Sequence, residues 1–166
     1  MCNMTTTTSY LSHNNQDRIL SLQRELHQRK RNFGINHISV AETLNALALT
    51  YHHMKNDHET AIQIHYEAKH ILEGQQERSQ QILVNLAITV GDIGNCFCKK
   101  GDYQSARNEY MTSLQFFETC QISENHPKAK LCMYTMKYRL GLLQTSSIMH
   151  QSNFNECSGA PQKESS

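Results

Sequence analysis

Tryptophan is absent from this 166-residue chain, proline occurs twice and glycine seven times. Glycine and proline are the residues that interrupt helices, so their scarcity beside many Leu, Ala, Gln, Glu, Lys and Arg favours helix over strand. An excess of one charge is also missing: 16 basic residues against 15 acidic ones leave a formal net charge of +1. A chain so balanced has no overall field to steer nucleic acid, an anionic membrane or an acidic substrate, and no nucleic-acid partner is expected. No unbroken run of about 18 apolar residues occurs, so no membrane partner is expected either. Residues 1–14 are polar and Thr-rich and lack both the charged-then-apolar order of a secretory signal and the Arg-rich character of a transit peptide. They are expected to be disordered, and the chain cytoplasmic. Six cysteines are an even number, but without a secretory signal they are expected to be reduced.

Catalytic signatures are lacking as well. The sequence has no Gly-rich phosphate loop, nucleophile elbow or paired-carboxylate motif, so neither an enzyme nor a cofactor is expected. Five histidines, His52, His53, His58, His65 and His70, cluster in one stretch, and neutral imidazole is the commonest transition-metal ligand. Two imidazoles share a helix face when they stand four apart, whereas His65 and His70 are five apart. No metal site is therefore expected; His65 reads as a core histidine and the others as solvated. A metal-binding or enzyme-like activity of this hairpin is the rival reading. Cys96 and Cys98, two apart, point to different faces of a helix.

What the chain does have is a repeat. Leu83, Leu86, Ala87, Val90, Ile93, Gly94 and Phe97 fall at helical offsets of three and four. Lys99-Lys100-Gly101-Asp102 breaks that stripe, and a second one follows at Tyr103, Ala106, Tyr110, Ser113, Leu114 and Phe117. The pattern is helix, tight turn, helix, with small Gly94 and Ala106 set against large partners so that the helices can approach closely. An earlier copy carries Leu44, Leu47, Ala48 and Tyr51, then Ala61, Ile64, His65, Ala68, Ile71 and Leu72. Tyr51 and Ala61 stand one residue further apart than Phe97 and Ala106, so the turn at Lys55-Asn56-Asp57 carries an insertion.

The order of large and small residues resembles the tetratricopeptide repeat. The run from Phe33 to Tyr51, with His37, Val40-Ala41, Thr43-Leu44-Asn45 and Leu47-Ala48, resembles the kinesin light chain-like subclass in particular, and His126-Pro127-Lys128-Ala129 is similar to its linker. The resemblance covers about Ile19 to Leu143. It implies an all-α fold, a short α-solenoid of antiparallel hairpins between N-terminal and C-terminal capping helices. Residues 15–35 are the first cap or a degenerate repeat, 37–73 the first hairpin, 74–120 a linker and the second hairpin, 126–150 the last cap or half repeat, and 151–166 a disordered tail. Arg18, Arg24, His27, Arg29, Lys30 and Arg31 form a basic cluster on the first cap, where a polar outer face is needed for solubility.

The resemblance also implies a function: a non-catalytic interaction module that holds a peptide of another protein in the concave groove made by the first helix of each hairpin, with self-association possible. The groove residues would be Glu42, Asn45, Leu49 and His52 from the first hairpin, and Asp92, Asn95 and Lys99, with Gly91 and Cys98, from the second. Asparagine suits such a groove because its amide both donates and accepts. A piece of a longer repeat scaffold is the further alternative, since about three repeats are normally needed for stability.

Overall fold

The computed structural model describes residues 4–120 and 129–143, and these are all helical apart from short connections, with no strand among them. α1 spans Met4–Phe33, α2 Ile38–Thr50, α3 His58–Glu73, α4 Gln80–Lys100 and α5 Tyr103–Thr119; a further helix, α6, covers residues 129–143. Each helix packs on its chain neighbour, α2 with α3 and α4 with α5 as hairpins, so the architecture is all-α and repeat-like.

Capping fixes where the helices begin. Asp57 accepts from the backbone N–H of Thr60 (3.1 Å) at the start of α3, and Asp102 from that of Ser105 (3.0 Å) at the start of α5. Each satisfies an N–H that the first turn leaves without a helical partner. Ser79 does the same for Ile82 at α4.

The inserted residue of the first hairpin is absorbed within the end of its first helix. α2 runs directly into a π-helical turn, Tyr51–Lys55. In the second hairpin Asp102 N–H reaches back five residues to the Phe97 carbonyl, whereas in the first Asp57 N–H reaches six, to Tyr51. A wider turn of this kind is how a helix accommodates one extra residue without losing register. Both hairpins then leave the helix through a left-handed residue, Gly101 (φ 82°) and Asn56 (φ 52°). Glycine adopts that conformation freely, and asparagine is among the side chains that tolerate it best.

α4 is the centre of the molecule. Ile82 and Leu86 pack with Val40, Leu44, Ala68 and Leu72 on one side, while Val84 and Ala87 pack with Phe117, Cys120 and Ala129 on another. Being covered from several directions widens its apolar face, while Gln81, Asn85 and Asp92 keep one side polar. It is the one helix among the described residues long and apolar enough to cross a membrane, although Asn85, Thr89 and Asp92 interrupt its apolar run.

At the other end, α1 packs Leu26 against this core and buries Ile19, 3 % exposed. Lys30 reaches Glu67 on α3 at 2.9 Å, and Arg29 donates to the Ser39 carbonyl at 2.8 Å, so two cations of the basic cluster serve to hold the cap. One boundary differs from the sequence reading: α1 starts at Met4, within the stretch expected to be disordered. Extending an existing helix costs far less than nucleating one, so a Thr-rich stretch can follow its neighbours into helix. Residues 121–128 and 144–166, which include the proposed His126-Pro127 linker and the tail, lie outside the described residues.

Helix crossings test the packing. A Cβ at Gly94 would stand 2.8 Å from two ring carbons of the fully buried Tyr110 and 3.2 Å from the Ala106 carbonyl oxygen, neither of which can swing away. Overpacking of about 1–3 kcal/mol should outweigh a helix-propensity gain of about 1 kcal/mol. Gly94→Ala should therefore lower stability in urea titrations, and by more than Gly91→Ala, whose new methyl meets mainly the flexible end of Met136.

Candidate binding groove

Successive first helices, α2 and α4, are joined by a polar chain rather than by apolar packing alone. Thr89 Oγ1 donates to the Asn85 carbonyl at 2.8 Å, one turn back in its own helix. Its single proton is thereby used, so Asn45 Nδ2 must be the donor in the 2.7 Å bond to Thr89 Oγ1. That fixes Asn45 Oδ1 towards His65, whose Nδ1 lies 2.8 Å away. His65 must then carry its proton on Nδ1, and Nε2 is left as a buried atom with no hydrogen-bond partner. One amide thus connects α2, α3 and α4.

The imidazole is fully buried, and burial with the nearby His52 lowers its pKa to about 3. His52 is lowered to about 4, by burial first and then by His53, His58, Lys99 and Arg139. His52 Nδ1 lies 3.1 Å from both Cys96 Sγ and His58 Nδ1. Burial, with Asp92 nearby, pushes the Cys96 thiol up to about 12, so it is a neutral S–H. No group of three or more His, Cys, Asp or Glu side chains among the described residues is arranged to hold a metal.

Above this polar chain, α2 and α4 enclose an open cleft of about 390 Å³, lined by Glu42, Asn45, Ala46, Leu49, Gln81, Asn85, Ile88 and Asp92. Ala46, Leu49 and Ile88 supply its apolar surface, Glu42 and Asp92 its carboxylates. Glu42 also approaches the Arg29 guanidinium of α1 at 3.5 Å. No protein-family model matches this chain, and a search of curated proteins finds no relative.

Four residues assigned to the groove from sequence, Glu42, Asn45, Leu49 and Asp92, are brought together in the cleft, and the others are not. His52 is buried at 6 % exposure, which also corrects the reading of His65 as the sole core histidine. Asn95 lies outside the cleft: its Oδ1 accepts from the Tyr110 hydroxyl at 2.9 Å and its Nδ2 donates to Asp92. Lys99 is exposed in the last turn of α4, away from the cleft. Gly91 is buried beneath Met136, and Cys98 packs against the Tyr110 cluster. The physical reason is register. Asn45 faces Thr89, two residues short of its repeat equivalent Gly91, so the surface opposite α2 lies nearer the start of α4 than residue equivalence implies. Gln81, Asn85, Ile88 and Asp92, at offsets of four, three and four, were the signal in the sequence: one continuous ridge on one helix face.

Two consequences can be measured. Asn45→Ala removes the acceptor for the buried His65 N–H, so it should cost about 1–3 kcal/mol of stability instead of being silent. For the histidines, a depressed folded pKa means that the unfolded chain binds the proton first. Stability is complete above the unfolded value of 6.5 and falls as pH drops towards about 3 for His65. By pH 4.5 the loss from His65 alone should reach about 2–3 kcal/mol, and His65→Gln should flatten the stability profile between pH 6.5 and 4.5.

Proposed function

We propose that this chain is a non-catalytic scaffold of the tetratricopeptide type, related to the kinesin light chain-like repeats, that binds an extended segment of another protein between α2 and α4. The observation that carries this reading is the cleft itself: apolar Ala46, Leu49 and Ile88 between two carboxylates, with the Gln81 and Asn85 amides bonded to each other along one wall. Amides of that kind can exchange their mutual bond for bonds to a peptide backbone, whose N–H and C=O groups need both partners. Glu42 and Asp92 favour a segment carrying Lys or Arg.

Support for the repeat class comes from small side chains set among large ones at the crossings, Gly94 beneath the Tyr110 ring and Ala48 and Ala61 among Tyr51, Ile62 and Ile64. Both hairpins also leave their first helix through a left-handed residue and cap the second with an aspartate, Asp57 and Asp102. A solenoid of this kind presents its first helices side by side, which is the surface a linear segment can follow.

The test is a peptide library screened against the full chain, followed by titration of the best sequence by fluorescence anisotropy. Selected peptides should be basic, and neutralising both carboxylates with Glu42→Gln and Asp92→Asn should weaken binding at least about tenfold with unchanged helicity. Binding should also weaken with salt. Selection of acidic or purely apolar peptides, or full affinity in the double variant, would contradict the assignment of this cleft.

A further inference from the structure

The last described helix leaves an apolar stripe in solvent. Leu131, Tyr134 and Tyr138 on α6 are 67 %, 63 % and 68 % exposed, and their offsets of three and four place them on one face. A shift of 47 residues relates Gly94 of α4 to Gly141 of α6, and the same shift relates Val84, Ala87 and Gly91 to Leu131, Tyr134 and Tyr138. On α4 those three positions are buried, covered by Phe117 and Ser113 of α5 and by Ala129, Met133 and Met136 of α6. The stripe on α6 therefore occupies the face that, one repeat earlier, receives the next helices.

Charge indicates what covers it. Residues 129–143 include Lys130, Lys137 and Arg139 and no aspartate or glutamate. Lys130 and Lys137, seven apart, run along one edge of the stripe, while Arg139 is engaged with the Tyr110 hydroxyl on the inner side. A second copy is a poor occupant, because the α6 face of each copy brings Lys130 and Lys137 and no anion, and an antiparallel pairing sets lysine edge against lysine edge. The large tyrosines stand where α4 carries Ala87 and Gly91, so the complementary surface must carry small side chains at the crossing.

We propose that α6 is a second docking surface, separate from the cleft, for an amphipathic helix of another protein whose apolar stripe combines small residues with leucine and is flanked by acidic residues. The probes are two labelled helical peptides sharing one Leu/Ala stripe, flanked in one by glutamate and in the other by lysine, titrated against the full chain. The glutamate peptide binds and weakens with salt, and the lysine peptide does not bind. Tyr134→Ala with Tyr138→Ala, both well exposed, lowers affinity for the glutamate peptide at least about tenfold while circular dichroism is unchanged. Lys130→Glu with Lys137→Glu reverses the preference between the peptides. The cleft variants Glu42→Gln and Asp92→Asn leave all of this unaltered. The proposal is overturned if the two peptides bind alike, or if the tyrosine variant keeps full affinity. It is equally overturned if sedimentation shows a dimer that dissociates on Tyr138→Ala while the glutamate peptide fails to bind, since the occupant is then a second copy.

Discussion

The side-chain amide of Asn45 is the contact on which the relation between the hairpins rests. It accepts from the imidazole of α3 and donates to the Thr89 hydroxyl of α4. Apolar packing around Leu44, Leu72 and Leu86 brings the three helices together but is non-directional. A buried hydrogen-bonded amide has one arrangement that satisfies both ends, so it fixes the register between α2 and α4 as well as their proximity. That register decides which side chains face across the cleft.

The second hairpin solves the same problem differently. Tyr110 stands where the first hairpin has His65, and its hydroxyl donates to Asn95 on the paired helix. Between α4 and α6, the contact equivalent to the Asn45–Thr89 hydrogen bond is apolar, Met136 resting against Gly91. A methionine has several rotatable bonds and specifies geometry weakly, whereas the amide specifies it strongly. The first interface is accordingly built to hold its register and the second to adapt.

Much of the fold could be read from the sequence because it depends on short-range pattern. The stripes at Leu44, Leu47 and Ala48 and at Val90, Ile93 and Gly94 follow the helical period, and the extra residue before Asn56 could be counted directly. The site was less legible. Repeat equivalence pairs Asn45 with Gly91, whereas Asn45 faces Thr89, because neighbouring helices meet with an axial offset that no single-helix pattern contains. His52 looks solvated in the sequence because the thiol that lines its site, Cys96, is 44 residues away. The stretch from Met4 was read as disordered from its composition, which carries no information about propagation from an existing helix.

The imidazole of His65 offers the most direct test of the account, because the whole polar chain assigns it one tautomer. Long-range proton–nitrogen correlation spectra of the ring should show neutral imidazole with its proton on Nδ1, unchanged from pH 7 down to about pH 4.5, well above the value of about 3 to which burial lowers it. A proton on Nε2, or titration near the ordinary value of 6.5, would mean that Asn45 does not bridge the three helices and that the cleft has a different register.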